Sequence, residues 1–462
     1  MQSPKLIING EIINADSRQK ADLLIEDGVI TKIGTGLIVT EGTEVINARG
    51  KYIFPGFIDP HVHIHLPFMG TCTKDTYDSA SRAAVVGGTT TLIEMCCPGQ
   101  DESLLEAYKL WKDKAEGLSA CDFSFHMGVP RFDAQVEADL REIVADGISS
   151  FKVFLAYKGA LGLDDEGLYK TLGLAKELGV IVTAHCENAD LIAQLQAKLL
   201  SEGKTGPKWH YHSRPPMVEA EGVHHLATFA ALHGTHIYTV HTSCRESVEV
   251  ALQAREKGVK IWIETLIQYL THDKTDAERP SFQGAKYVMS PPLRDRSNQD
   301  YLWNALQQGL VNTLATDHAP FDFKGQKDMG RGDFTQIPNG IPSLEDRVTM
   351  LWTKGVCTGK LDIHRFVDCA STQTAKIFGL FPRKGTVSVG ADADVVIWDA
   401  KYRGKISART HHMNIDYSAY EGETIKGRPS QVLVRGATVA ENGRFTGELG
   451  HGQFLQRCPT HF

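Results

Sequence analysis

Eight short apolar runs alternate with helical patterns through the middle of the chain, and this alternation limits the possible folds more than any other feature. The runs lie at 57–63, 89–95, 122–129, 150–155, 180–185, 236–241, 260–265 and 313–317. Helical patterns separate most of them, as at 165–178, 218–232 and 247–257. Strands that alternate with helices pair in parallel, and eight of them close a TIM-like (β/α)8 barrel. An open doubly wound sheet is the alternative, although no glycine-rich phosphate loop follows the first run.

Both ends of the chain differ from this middle, because they contain short strand patterns and hairpin signals. Near the N-terminus, Asp27-Gly28 lies between two such runs, and near the C-terminus Asn442-Gly443 gives a second hairpin signal. We therefore predict an α/β protein of two domains. A small β-sandwich domain with a C-terminal tail comprises residues 1–55 and 380–462, and a catalytic barrel comprises residues 56–379.

Charge and cysteine usage narrow the class of protein. The net charge of −7 argues against nucleic acid as the main partner, because such binding needs a basic face. The sequence has no apolar stretch near the ~18 residues of a membrane span and no signal-peptide pattern at its start. Nine scattered cysteines without a CxxC pair are typical of reduced thiols. We expect a cytoplasmic protein that binds neither nucleic acid nor membrane.

Residue types that bind metal ions occupy five of the eight predicted strands, mostly at their ends. They are His61 and His63 in the first strand, Lys152 in the fourth, His185 in the fifth, His241 in the sixth and Asp317 in the eighth. Barrel active sites form at the C-terminal ends of the strands, so these side chains would meet at one mouth. Alternate residues of a strand point the same way, which lets both histidines of His61-Val62-His63 bind one ion.

Each of these residues alone is a weak signal. A single histidine at a strand end is more often a core residue, and Asp317 could be a helix N-cap. A second H-x-H motif, at 210–212, falls in a predicted polar loop, and we interpret it as a chance match. The shared position of the other residues at one end of the barrel is what favours a metal site.

Lys152 is the most informative member of the set, because it lies inside the buried-strand pattern 149–155. A buried ammonium without a partner is strongly destabilised or loses its charge. Three interpretations are open: a snorkelling surface lysine, a lysine that forms a Schiff base, or a carbamate made from the neutral amine and CO₂ that bridges two cations. The histidines and Asp317 favour the carbamate.

This donor set suggests a hydrolytic chemistry. Histidine, carboxylate and an anionic bridge suit Zn²⁺ or a similar divalent ion. Two such ions held close share a hydroxide, which is a nucleophile at neutral pH, and they polarise a carbonyl. Asp317 could take the proton of the water and pass it to a leaving nitrogen.

Almost the whole chain resembles the cyclic-amidase branch of the amidohydrolase superfamily, which contains dihydropyrimidinases and D-hydantoinases. The segments that carry the resemblance are 55–63 (PGFIDPHVH), 151–158 (FKVFLAYK), 290–294 (SPPLR), 337–340 (IPNG) and 411–422 (HHMNIDY to EG). The resemblance implies a metal-dependent hydrolase acting on C–N bonds of cyclic amides. Its substrates would be 5,6-dihydropyrimidines or 5-substituted hydantoins, which it would open to N-carbamoyl amino acids.

The resemblance also assigns a ligand set. It implies two divalent metal ions, Zn²⁺ being the expected metal. His61, His63 and Asp317 would hold the first ion. His185 and His241 would hold the second, and carboxylated Lys152 would bridge the two. It further implies a homotetramer.

The remaining roles implied by the resemblance concern the substrate. Tyr157 matches the tyrosine that donates to the developing oxyanion, a role suited to a fixed donor. The backbones of Ser290 and Asn339 match the positions that hold the ring amide. The loops that carry Leu66, Phe68 and residues 157–163 would line the pocket of the exocyclic substituent.

The sequence departs from the family pattern at three places, and other activities of the family are the alternatives to the predicted one. His65 adds a third alternate histidine, which we interpret as a loop residue, and it occupies the slot where dihydroorotases carry an arginine. Leu266-Ile267 replaces a common Cys-Pro, and Glu94 to Pro98 replace a more usual Asp-Phe. We expect both segments near the barrel mouth, where they would affect the choice of substrate.

Among the alternative activities, allantoinases are closer than dihydroorotases, but Tyr157 fits the dihydropyrimidinase group better. Non-catalytic dihydropyrimidinase-related scaffolds have lost their metal ligands, whereas every ligand position is filled here.

Overall fold

The structure is a computed structural model that describes residues 3–38 and 41–459. The strands before the barrel are β1 (Lys5–Ile8), β2 (Glu11–Ile13), β3 (Arg18–Lys20), β4 (Asp22–Glu26), β5 (Val29–Gly34), β6 (Glu44–Asn47) and β7 (Tyr52–Pro55). Those from the barrel onward are β8 (Phe57–Val62), β9 (Pro67–Phe68), β10 (Thr71–Cys72), β11 (Thr89–Cys96), β12 (Asp122–Gly128), β13 (Ser150–Phe154), β14 (Ile181–His185), β15 (Ile237–Thr239), β16 (Ile261–Leu266), β17 (Thr313–Ala315), β18 (Val395–Lys405), β19 (Thr424–Val434), β20 (Ala437–Glu441) and β21 (Arg444–Phe445). The helices are α1 (Tyr77–Val86), α2 (Leu104–Ala115), α3 (Ala134–Ala145), α4 (Asp165–Leu178), α5 (Ala189–Ser201), α6 (Trp209–Ser213), α7 (Pro216–His233), α8 (Arg245–Glu256), α9 (Ile267–Thr271), α10 (Ser297–Gln307), α11 (Arg347–Lys354), α12 (Ile363–Val367) and α13 (Gln373–Ile377).

The eight apolar runs form one parallel sheet in the order β17-β16-β15-β14-β13-β12-β11-β8, which confirms the predicted barrel. Its two outer strands approach each other at the mouth, where Val62 bridges His318 and the His63 N–H donates to the His318 carbonyl at 2.8 Å. The predicted helix at 165–178 is α4. It begins at Asp164, whose side chain accepts from the Gly167 N–H, and ends at Gly179 in the left-handed conformation.

A separate, sheet-rich unit is built from both chain ends, as expected. It contains a four-stranded sheet of order β5-β4-β1-β6 and a seven-stranded sheet of order β21-β20-β19-β18-β7-β2-β3. Ile7, Leu23, Ile53, Val395 and Leu433 are among the buried side chains of its core. The bounds that we give the two domains stay a prediction.

Residues 453–457 pack against the barrel. The Leu455 N–H donates to the Phe123 carbonyl at 2.7 Å, near the start of β12. The buried Arg457 guanidinium donates to Ser124, Ser149 and Ser150 Oγ at 2.8, 3.0 and 2.9 Å. This segment therefore closes the end of the barrel opposite the mouth. Within the described residues, the structure contains no helix that is both long and apolar enough to cross a bilayer.

Candidate active site

One cavity at the C-terminal mouth of the barrel brings together all eleven residues singled out from the sequence. They are His61, His63, Leu66, Phe68, Lys152, Tyr157, His185, His241, Ser290, Asp317 and Asn339. They come from five barrel strands or the loops that directly follow them and from two further loops, which carry Ser290 and Asn339. Their roles stay predictions, but the geometry places them within reach of one small molecule.

Histidine and carboxylate atoms converge at the floor of this cavity. The ligand atoms of His61, His241 and Asp317 all lie within 4.8 Å of one another, and the three side chains are buried. Asp317 Oδ1 lies 3.1 Å from His61 Nε2 and 3.0 Å from His63 Nε2. The His185 and His241 rings are 4.6 Å apart between centroids. This is the convergence of nitrogen and oxygen donors that a divalent cation requires.

Lys152 lies among these donors with a fully buried side chain, which excludes the snorkelling interpretation. Its Nζ has no hydrogen-bond partner in the part of the chain that the structure describes. Burial lowers the pKa of Lys152, although the nearby charge of Asp317 opposes the shift. The neutral form of an amine reacts with CO₂, and a lowered pKa favours that form. This observation fits a carbamate that binds cations.

Glu264 holds two of the histidines in place, a role not predicted from the sequence. Glu264 Oε1 lies 2.8 Å from His61 Nδ1 and also accepts from the His241 backbone N–H at 2.8 Å. Because His61 Nδ1 carries the donated proton, its Nε2 lone pair is directed at the cavity. A carboxylate behind a ligand histidine fixes its tautomer and orientation. A glutamate inside the apolar run 261–266 was the signal that could have revealed it.

We expect Glu264→Gln to weaken metal binding by ~10–100-fold while the protein stays folded, because the amide is a poorer acceptor for His61. Competition with a chromogenic chelator measures the affinity. Glu256→Gln, at the end of the outer helix α8, is the matched control and should leave the affinity unchanged. Unaltered affinity in Glu264→Gln would show that this carboxylate does not orient a ligand.

A second glutamate supports His185. Glu187 Oε2 lies 2.7 Å from His185 Nε2, which leaves His185 Nδ1 free to face the other donors. Burial would raise the pKa of Glu187, but the Arg214 guanidinium and the His185 hydrogen bond bring it to about 2. Arg214 also lies over the Tyr157 ring, 5.5 Å from its centroid. Arg214 therefore contacts both Glu187, which holds His185, and the ring of Tyr157.

Three of the predicted site residues adopt the left-handed backbone conformation, which non-glycine residues rarely occupy. The φ angles are 38° for His241, 49° for Asp317 and 60° for Tyr157. Each such residue costs about 1–3 kcal/mol and persists only where its surroundings hold it. The strain lies where the strands turn into the mouth loops, at the residues that face the cavity.

The substrate side of the cavity combines polar donors with an apolar wall. Burial raises the pKa of Tyr157, so its hydroxyl keeps its proton and can donate. Asn339 Nδ2 lies 3.5 Å from that hydroxyl and donates to Ser290 Oγ at 3.0 Å. The Phe68 ring packs edge-on against Tyr157 with centroids 5.4 Å apart, and Leu66 extends the apolar wall.

The structure corrects the interpretation of the second H-x-H motif. Residues 210–212 are in α6 and not in a polar loop, and His210 is buried. Its Nε2 lies 2.9 Å from the Met289 carbonyl and 3.2 Å from Ser290 Oγ. Burial lowers the pKa of His210 to about 3, so the ring is neutral and supports the Ser290 loop. His210 therefore holds the loop that carries Ser290, a role that the composition of the motif alone did not indicate.

Two departures from the family pattern contribute no side chain to the lining of the cavity, although Met95 and Cys97 pack in the same apolar cluster as Leu66. Their effect on the substrate stays a prediction. Leu266 and Ile267 are fully buried in the main hydrophobic core. Glu94 is buried and accepts from the Ile64 N–H at 2.7 Å and from Trp111 Nε1 at 3.2 Å. His65 follows β8 in a loop, as we interpreted it.

Comparisons with known proteins agree with this geometry. The model of the family described as "Amidohydrolase family" matches residues 52–439. The D-hydantoinase of Geobacillus stearothermophilus is 48% identical over 98% of this chain and 96% of that protein. The dihydropyrimidinase of Rattus norvegicus is 38% identical over 99% of this chain and 89% of that protein. The solved structure of a D-hydantoinase (dihydropyrimidinase) from Thermus sp. superposes with a TM-score of 0.97 at 59% identity, covering 99% of this chain and 100% of the other.

Proposed function

The chain belongs to the amidohydrolase family, in its hydantoinase and dihydropyrimidinase branch, and from that premise we propose that it opens the ring amide of 5-substituted hydantoins or 5,6-dihydropyrimidines. The products are N-carbamoyl amino acids. One observation carries the proposal: a buried amine without a partner lies among histidine and carboxylate donors, in the same cavity as a protonated tyrosine.

We further propose that His61, His63 and Asp317 hold one divalent cation and that His185 and His241 hold a second. Lys152, once carboxylated, would be a ligand of both ions, and Zn²⁺ suits these donors. When bound, the cations supply a water molecule of lowered pKa and polarise the ring carbonyl. The convergence of the donor atoms and the lone Lys152 Nζ support this assignment.

Asp317 moves the proton in this proposal. Its carboxylate lines the cavity, with Oδ1 3.1 Å from His61 Nε2 and 3.0 Å from His63 Nε2. It accepts a proton from the water as the new C–O bond forms. It returns that proton to the ring nitrogen as the C–N bond breaks, which makes the leaving group a neutral amide nitrogen.

Tyr157, Ser290 and Asn339 position the ring. The Tyr157 hydroxyl donates to the carbonyl oxygen as negative charge develops on it. Backbone groups of Ser290 and Asn339 hold the ring amide, and the contact between these two side chains supports their placement on one side of the cavity. The apolar wall of Leu66 and Phe68 receives the ring substituent.

We expect Tyr157→Phe to lower kcat by ~10²–10³-fold, which is the usual effect of removing one oxyanion donor. Metal content and Tm stay as in the wild type, because the ring remains. Tyr169→Phe, which changes a half-exposed tyrosine on α4, is the control and keeps the full rate. A Tyr157→Phe enzyme with the wild-type kcat would show that the hydroxyl does not act on the oxyanion.

Relative rates on four rings test the proposed activity. The zinc-loaded enzyme in bicarbonate buffer is assayed with dihydrouracil, a 5-aryl hydantoin, dihydroorotate and allantoin. We expect turnover of the first two and little of the last two, with the aryl hydantoin favoured if the apolar wall accepts bulk. A preference for dihydroorotate or allantoin would move the substrate to another branch of the family.

We also propose that the protein works in the cytoplasm as a homotetramer. All nine cysteines are unpaired, which suits a reducing compartment. Met217 and Leu232 on α7 are 77% and 72% exposed, which supports a further interface on that helix. Sedimentation of the metal-loaded protein gives the assembly directly.

A further inference from the structure

Lys327 is a fully buried lysine outside the metal site. It begins a short 3-10 helix, Lys327–Gly330, in the long connection that follows β17. Its ammonium forms no ion pair with any carboxylate in residues 3–38 and 41–459, and burial lowers its pKa well below the ordinary value. Burying such a group is costly, and an apolar side chain of the same length would avoid that cost.

The partners of Lys327 are two backbone carbonyls from different loops. Lys327 Nζ donates to the Val288 carbonyl at 2.8 Å and to the Pro338 carbonyl at 2.6 Å. Val288 lies two residues before Ser290, and Pro338 directly precedes Asn339. One side chain therefore joins the two loops whose backbones hold the ring amide in the proposed function.

Backbone contacts confine the second loop from the other side. The Gly340 N–H donates to the same Val288 carbonyl at 3.0 Å. A Cβ on Gly340 would lie 2.3 Å from the Ala319 carbonyl oxygen, and Ala319 is two residues beyond Asp317. The loop thus lies between the strand end that carries Asp317 and the loop that carries Ser290, and Lys327 ties its start to Val288.

We propose that Lys327 is a positioning residue that fixes the spacing between the Ser290 and Asn339 backbones, and thereby the fit of the ring amide. The predicted effect of Lys327 on substrate binding rests on the proposed function. Its predicted effect on the two loops rests on the contacts alone. Lys327 touches neither the metal donors nor Tyr157 through any hydrogen bond or ion pair of the described residues. Its removal therefore acts on ring binding rather than on the metal.

Lys327→Met tests this, because methionine keeps the apolar length and removes the donors. We expect KM for the hydantoin to rise ~10-fold or more, with kcat changed much less and the metal content unchanged. Amide hydrogen exchange of segments 286–291 and 336–341 should become faster than in the wild type, while exchange in the barrel strands stays the same. Lys324→Met, an exposed lysine in the same connection, is the control and should alter neither property.

A folded Lys327→Met enzyme with wild-type KM and wild-type exchange in both segments would overturn the proposal. If that variant does not fold, Lys327→Gln replaces it, since its amide retains donors, and an intermediate rise in KM and exchange is expected. In the wild type, the Gly340 amide should exchange as slowly as the amides of the barrel strands. Rapid exchange of the Gly340 amide would also contradict a fixed spacing between the two loops. A wild type that opens no cyclic amide would refute the proposed function, while the exchange comparison would still decide the role of Lys327.

Discussion

Asp317→Ala reduces ring hydrolysis by at least ~10³-fold and leaves the fold intact. General acid–base catalysis by one positioned group contributes ~10²–10⁴-fold, and Asp317 is also proposed to bind a cation. Its side chain faces the cavity, so its loss opens no hole in the hydrophobic core. The measurement is kcat/KM on a 5-substituted hydantoin, with Tm recorded for the same samples.

Two comparisons sharpen this test. Asp300→Ala removes a carboxylate whose side chain is 86% exposed on α10, and it should match the wild type in rate and Tm. Asp317→Asn retains the shape and a ligand oxygen but cannot accept the proton, so it should be nearly as slow as alanine. Activity near the wild-type level in either Asp317 variant would refute the proposed proton transfer.

Lys152→Ala loses activity and metal together. Without the lysine no carbamate can form, and the proposed bridge between the cations is absent. We expect the metal content of the dialysed variant to fall below that of the wild type and the rate to fall by at least ~10³-fold, because the nucleophile depends on the bound metal. Metal analysis of the dialysed protein and the hydrolysis rate are measured on the same preparation.

A control separates this effect from the loss of any buried lysine. Lys384 is also buried but pairs with Asp122 and Asp394 on the sandwich side of the barrel. Lys384→Met should lower Tm, since it leaves buried carboxylates unpaired, while the folded fraction keeps its metal. Tight binding of two metal ions by Lys152→Ala would exclude the bridge and return Lys152 to the Schiff-base interpretation.

The sequence predicted those parts of the molecule that depend on local pattern. The barrel strands followed from short apolar runs, and α4 followed from the helical pattern at 165–178. The convergence of His61, Lys152 and Asp317 followed because parallel strands present their C-terminal ends at one mouth.

The parts that were missed depend on contacts between distant segments. Glu264 supports His61 across 203 residues, and Arg457 closes the far end of the barrel more than 300 residues from its serine partners. His210 looked like a polar residue because its partners, Met289 and Ser290, lie about 80 residues away. The residue pattern of one segment does not predict such pairs, because each partner looks like an isolated residue in its own segment.

The most direct test of the account is the formation of an N-carbamoyl amino acid from one 5-substituted hydantoin under three conditions. These are protein stripped with a chelator, protein reloaded with Zn²⁺ in CO₂-free buffer, and protein reloaded with Zn²⁺ in bicarbonate. We predict no product in the first, slow formation in the second and the full rate in the third, because both the metal and the Lys152 carbamate are required. An equal rate in the stripped protein, or no product in any condition from protein that binds its metal, would contradict the account.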